Sequence, residues 1–214
     1  MQPPLFKLCA DSLRMFTNEK YSIKLKASHA HELVAAYFGY SSKNAMLADI
    51  NHPIANLNQA AYVVMVADET IDIRRENLQG LSAELPDSYT LGEPVYGTLF
   101  SDEWWASQHP TFRNLKVLAK HLVEENDVYQ ELFKFYRDIP VHHVVIPKPS
   151  ENEVQLSVVH ATKTSGGELM GHGETSIKLP RIAGHIGFSK PKFSVGQWTG
   201  GARRTLESLG VQYD

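Results

Sequence analysis

Cysteine is almost missing: Cys9 is the single thiol among 214 residues. One thiol excludes an internal disulfide and a multi-thiolate zinc site, and it suits a reducing compartment. No run of 18 apolar residues occurs, so no transmembrane helix is expected. The first residues, M-Q-P-P-L-F-K, lack the apolar core of a signal peptide, and the expectation is a soluble protein of the cytoplasm with no membrane partner. Internal repeats and low-complexity segments are absent. So are a nucleophile elbow, a P-loop, a dinucleotide fingerprint, H-E-x-x-H and the kinase set, and no cofactor is implied.

A strong charge of one sign is lacking too, since the formal net charge is −3. Its distribution is uneven. Residues 1–26 hold five Lys/Arg against two acids, and residues 161–214 hold seven against four. Both ends are therefore +3, and residues 27–160, with nine against eighteen, are −9. A basic end can meet a polyanion. No basic run of nucleic-acid type is present, so a solvated surface is the plainer reading.

What is present is clearest at Ser28–Asp49, where a helix start, an apolar face, a glycine stop and a second start fall within 22 residues. Ser28 is placed to cap the first helix, with Glu32 near the positive end of its dipole. Leu33, Val34, Tyr37 and Phe38 recur at helical spacing. Gly39 can adopt the left-handed conformation that ends a helix, and Ser41 or Ser42 then caps a shorter helix carrying Met46 and Leu47.

Before this hairpin, Pro4 opens a helix with Leu5, Leu8, Cys9, Leu13 and Phe16 on one stripe, so Cys9 reads as a buried small hydrophobe. After it, Ala60–Ala67 reads as a buried strand and Asp68–Leu78 as a short helix. Prolines and glycines break up residues 81–101, leaving a short strand at Val95–Leu99. Phe112–Val123 is an amphipathic helix, and Asp127 with Gln130 matches a capping box that starts another. The period then changes. His142–Ile146, Val154–Thr164, Glu168–Leu179, Ile182–Phe188 and Lys192–Trp198 read as strands, and a last helix ends at Gly210. Helices first and antiparallel strands later make the fold class α+β. Three regions are expected: a helical hairpin unit at 1–53, a mixed, mainly helical core at 54–140, and an antiparallel region with a terminal helix at 141–214.

The hairpin invites a DNA-binding reading, in which Lys43 and Asn44 would face bases or phosphates. A recognition helix needs more donors than these two, and Asp49 would repel phosphate, which favours a packing or protein-contact hairpin. His160 and His172 pose a register question. A two-residue Gly166-Gly167 loop puts them on opposite faces of a strand pair. A three-residue loop that includes Glu168 puts them on one face, with Glu174 opposite His160, and only that register makes a metal site. Thr199-Gly-Gly-Ala-Arg203-Arg204 places two guanidinium groups at a helix start, chemistry that suits an anion or a plain solvated first turn. Trp104 and Trp105 are adjacent in a loop region. Either one is exposed as a binding anchor, or each fills a different layer.

The stretch S-H-A-H-E-L-V-A-A-Y-F-G-Y-S-S-K-N-A-M-L-A-D, through Ser28, Glu32, Leu33, Ala35, Gly39, Tyr40 and Leu47, resembles a short helical module of uncharacterised bacterial proteins. Some of these are glyoxalase-related and some belong to plasmids and integrative elements. Lys43-Asn44 stand where the module has an aromatic residue, and the spaced His/Glu ligands of glyoxalases are missing, so no catalytic residue carries over. The resemblance implies an accessory protein of a mobile element or a defence system. The leading expectation is a non-enzymatic interaction protein with a protein partner or a second copy of itself. The alternatives are a weak nucleic-acid binder and a His-based metalloenzyme.

Overall fold

The computed structural model describes residues 4–101, 109–135, 141–145, 152–163 and 169–210. Most of the helical residues lie in the first half and most of the strand residues in the second, an α+β fold. Among the described residues no helix is long and apolar enough to cross a membrane.

The chain divides into two compact units, Met1–Asn114 with Arg181–Ser189, and Leu115–Pro180 with Lys190–Asp214. The boundaries expected at 53 and 140 do not coincide with this division. Residues 1–53 have no core of their own: Cys9, Leu13, Leu33 and Phe38 share one apolar cluster with Leu57, Val63, Leu91, Val95 and Ile186.

In the first unit, α1 (Leu5–Tyr21) follows Pro4 and stops at Ser22, which takes the left-handed conformation (φ 57°). Next come α2 (Ala27–Tyr37), α3 (Lys43–Ala48), a 3-10 turn at Ile54–Gln59, β1 (Tyr62–Val64), α4 (Asp68–Glu76), α5 (Ser88–Leu99) and β2 (Thr111–Phe112). The N-cap of α2 is Lys26, so Ser28 lies inside the helix and caps nothing. Cys9 is fully buried, and burial, against an opposing backbone hydrogen bond, pushes its thiol pKa up to about 12. It is packing material, as its stripe position implied.

The segment expected to be broken by Pro94, Gly92 and Gly97 is the continuous helix α5. Asp87 caps it by accepting the Thr90 N–H at 2.7 Å, and Leu91, Val95 and Leu99 form its buried stripe. Gly92 admits Tyr37 at close range, and the Pro94 carbonyl accepts from Ser12 of α1 and from Thr98. Packing on α1 has overridden local propensity. Phe112 lies in β2, paired in parallel with Val64 of β1, and not in the following helix. The Ala60–Ala67 run contributes only three strand residues, and the expected strand at 182–188 turns at Gly184 (φ 51°), leaving the short β6 (Gly187–Phe188).

In the second unit, α6 (Leu115–Glu124) and α7 (Asp127–Phe135) precede β3 (Val141–Val145), β4 (Glu153–Lys163), β5 (Leu169–Ala183), β7 (Lys192–Trp198) and α8 (Gly200–Ser208). Asn126, rather than Asp127, caps α7 by accepting the Val128 N–H at 3.1 Å, and Gln130 donates instead to the Glu124 carbonyl. The four strands pair antiparallel in the order β3-β4-β5-β7. Val154, Leu156, Val158 and His160 point inward from β4, and Gly173, Thr175, Ile177 and Leu179 from β5. Residues of odd number on β4 and even number on β5 therefore face away from this core. Beyond Pro180, β5 enters the first unit, where it pairs with β6, and β6 pairs with β1.

Gly39 tests the local logic of the hairpin. It has φ 84°, and a Cβ there would overlap the Cβ of His185. Gly39→Ala should lose at least about 2 kcal/mol in urea unfolding, from left-handed strain plus the clash. Gly97→Ala, with nothing within 4 Å and a helical backbone, should gain about 0.5–1 kcal/mol.

Candidate functional site

The hairpin is built from local caps and two distant carboxylate contacts. The Gly39 and Tyr40 N–H groups donate to the Ala36 and Ala35 carbonyls at 2.8 and 2.9 Å, the pair of hydrogen bonds that closes a helix on a left-handed glycine. Ser42 then caps α3, accepting the Ala45 N–H at 3.1 Å. Glu32 of α2 accepts both the Lys43 N–H at 2.9 Å and the Arg74 guanidinium of α4 at 2.5 Å.

The far end of α3 is held more firmly. Asp49 accepts the Arg181 guanidinium at 2.8 Å, the Tyr40 hydroxyl at 2.8 Å and the His52 N–H at 3.0 Å. Arg181, whose side chain is 3% exposed, also donates to the Gly184 carbonyl at 2.8 Å. Burial acts to raise the Asp49 pKa, but the Tyr40 and His52 hydrogen bonds and the Arg181 charge outweigh it, and the carboxyl is held below its ordinary value. The same burial, with the Asp49 contact, raises the Tyr40 pKa.

On this base α3 turns an apolar face outward. Leu47 is 54% exposed, Ile50 just beyond the helix is 83% exposed, and Asn44 and Ala48 are exposed beside them. Met46 alone is buried. Lys43 stands by α2, its N–H held by Glu32: burial first, then the charges of Lys43, Arg14 and Lys7 against that of Asp11 lower the pKa of His31. Asp49, feared as a phosphate repellent, is neutralised by Arg181.

The remaining expected residues fall elsewhere. Trp104 and Trp105 lie outside the described residues. Arg203 donates to Glu207 at 2.8 Å on the exposed side of α8, while Thr199 accepts the His172 N–H at 3.0 Å, which ties the turn before the helix to β5. His160 pairs with Gly173, and Glu174 with Val159. His160 therefore points into the core while His172 and Glu174 are exposed on the other face, and the three do not converge. Glu174 instead accepts the Ser157 hydroxyl. Among the described residues no group of three or more His, Cys, Asp or Glu is placed to hold a metal ion.

His160 is fully buried between the Tyr129 and Trp198 rings, with centroids at 5.4 and 5.1 Å. Its Nε2 lies 3.0 Å from the Thr175 hydroxyl, which also meets the Tyr129 hydroxyl. No sequence signal marked Tyr129, Thr175 or Trp198 as its neighbours, because they come from three different elements. Nor did anything distinguish Leu47 and Ile50 from core residues, since exposure is settled by the packing of Met46. No protein-family model, curated protein or solved structure matches the chain.

Two outcomes are expected. Asp49→Ala strands the buried Arg181 charge and should cost about 3–5 kcal/mol in denaturant unfolding, much of it recovered by adding Arg181→Met. Burial lowers the His160 pKa from 6.5 to about 4. Above pH 6.5 the imidazole is neutral in both states and stability is full. Between 6.5 and 4 only the unfolded chain takes the proton, so stability falls with pH, by about 3 kcal/mol in all. Below 4 both states are protonated and this loss stops growing. His160→Phe keeps a ring in the stack and should remove that part of the pH dependence.

Proposed function

We propose that the chain is a non-enzymatic interaction protein that docks on a protein partner through the second helix of its hairpin. The observation that carries this reading is the outward pair Leu47 and Ile50, 54% and 83% exposed, on a helix fixed at both ends by Glu32 and Asp49. Apolar side chains held in place can enter a partner's recess without first being ordered. The nucleic-acid alternative draws support from Lys43, Asn44 and the basic C-terminal third, but base edges call for donors, and the exposed face of α3 offers Asn44 among Leu47, Ala48 and Ile50. The accessory role in a bacterial mobile element or defence system, which the resemblance implies, is the setting in which to seek the partner.

A photo-reactive residue at position 47, introduced into the full chain in its own host, tests the reading. A discrete protein adduct is expected, whether to another protein or to a second copy. In a reconstituted complex Ile50→Lys should weaken binding by 30-fold or more, as removal of a central anchor worth about 2 kcal/mol does. Its unfolding free energy should stay within about 0.5 kcal/mol of the parent, because the residue is on the surface. Adducts to nucleic acid alone, or affinity unchanged in Ile50→Lys, would refute the proposal.

A further inference from the structure

The second unit carries a separate feature on the outward face of its sheet. Lys178 of β5 stands directly opposite Lys192 of β7, and Gln155 of β4 stands opposite Lys178 on the other side. All three are exposed. One row along, Ser157, Ser176 and Ser194 form a second line across the same strands. Directly opposed side chains share a face with Cβ atoms about 5 Å apart, and like charges placed so are destabilising. Neither lysine is in an ion pair among the described residues, whereas Arg74, Arg75, Lys120, Arg181 and Arg203 each have a carboxylate.

We propose that this face binds a phosphate-sized anion between Lys178 and Lys192, with Gln155, Ser176 and Ser194 as further donors; the Ser157 hydroxyl is already given to Glu174. Two ammonium groups supply six N–H donors, and Ser176, which accepts from the Gln155 amide at 3.0 Å, has its own O–H to give. An anion at this point turns the lysine repulsion into attraction for a shared ligand.

The surroundings set its size. Glu174 lies one row beyond the serines on β5, and Glu153 lies one row beyond Gln155 on β4. These carboxylates bound a window two rows deep, roughly 7 Å along the strands and 10 Å across three of them. A nucleic-acid backbone laid along the strands would bring its next phosphates over Glu153 or Glu174. A free phosphate or a phosphomonoester seated between the two lysines and Ser176 meets donors and stays clear of the Ser157 corner that Glu174 occupies. The site therefore differs from the polyanion surface expected of the basic C-terminal third, and it rests on the second unit alone, apart from the hairpin reading.

The test uses the full chain and compares thermal unfolding in sodium phosphate with sodium chloride at matched ionic strength and pH. Titration calorimetry then measures inorganic phosphate, glycerol phosphate and a 20-nucleotide DNA. A saturable, phosphate-specific rise in Tm is expected, shared by the phosphomonoester. Lys178→Gln and Lys192→Gln should each weaken phosphate binding at least tenfold while their Tm in chloride is equal to or above that of the parent, because the repulsion is gone. Lys120→Gln on α6 should change neither reading. No rise beyond chloride, or a rise kept in both lysine variants, overturns the site. DNA binding that depends on the two lysines and exceeds phosphate binding overturns the assignment to a phosphate-sized anion.

Discussion

The contact between Arg181 and Asp49 joins residues 132 positions apart and holds the first unit in its particular form. Without it the returning segment Arg181–Ser189 would be anchored in the N-terminal unit mainly by short strand pairs and apolar contacts. A buried guanidinium loses its water shell, and only a well-made set of partners repays that loss. Arg181 has the Asp49 carboxylate and the Gly184 carbonyl, and Asp49 in turn has Tyr40 and His52. Each of these groups sits at an end or a turn: the start of the hairpin loop, the exit of α3 and the bend between β5 and β6. The pair thus specifies how loops meet, while the apolar cluster under them supplies bulk cohesion.

The same geometry explains why Gly39 has no substitute. Its positive φ follows from the helix stop, a local demand. Its missing Cβ follows from His185, whose N–H donates to the Phe38 carbonyl at 3.0 Å and brings the β5–β6 turn against the hairpin. A similar close approach recurs in the second unit, where the Trp198 ring lies over Gly173 in the space a Cβ would occupy. That glycine lets Trp198 reach His160, and the ring stack with Tyr129 follows.

Part of the local chemistry was legible in the sequence, though not the caps at Lys26 and Asn126, and pairing over distance was not. The Gly39 stop, the Ser42 cap, the burial of Cys9 and the change from helical to strand period each depend on a few neighbouring residues. Helix α5 was missed although Asp87, Leu91, Val95 and Leu99 carried its signal, because Gly92, Pro94 and Gly97 outweigh them until α1 is packed alongside. The fate of His160 and His172 turned on one residue of register, and the observed pairing of His160 with Gly173 sends them to opposite faces. The Lys178–Lys192 opposition depends on the same kind of information. Their spacing in the chain says nothing until β5 and β7 are laid side by side.

Exposure of an apolar side chain is common on protein surfaces and by itself explains nothing. The case of Leu47 and Ile50 differs because of what stands behind them. A short helix of six residues is not stable alone, since nucleation costs more than its few hydrogen bonds return. Here it is kept folded by Ser42 and Glu32 at its start, Asp49 at its exit, and Met46 as its one buried side chain. If the fold needed this segment only as a connection, an irregular loop with polar side chains would serve with less apolar surface in water. Holding the helix in place while turning Leu47 outward, with Ile50 just beyond it, fixes the geometry of an apolar surface before any partner arrives. In the proposed docking the ordering cost would be borne in folding, leaving the contact free energy for binding.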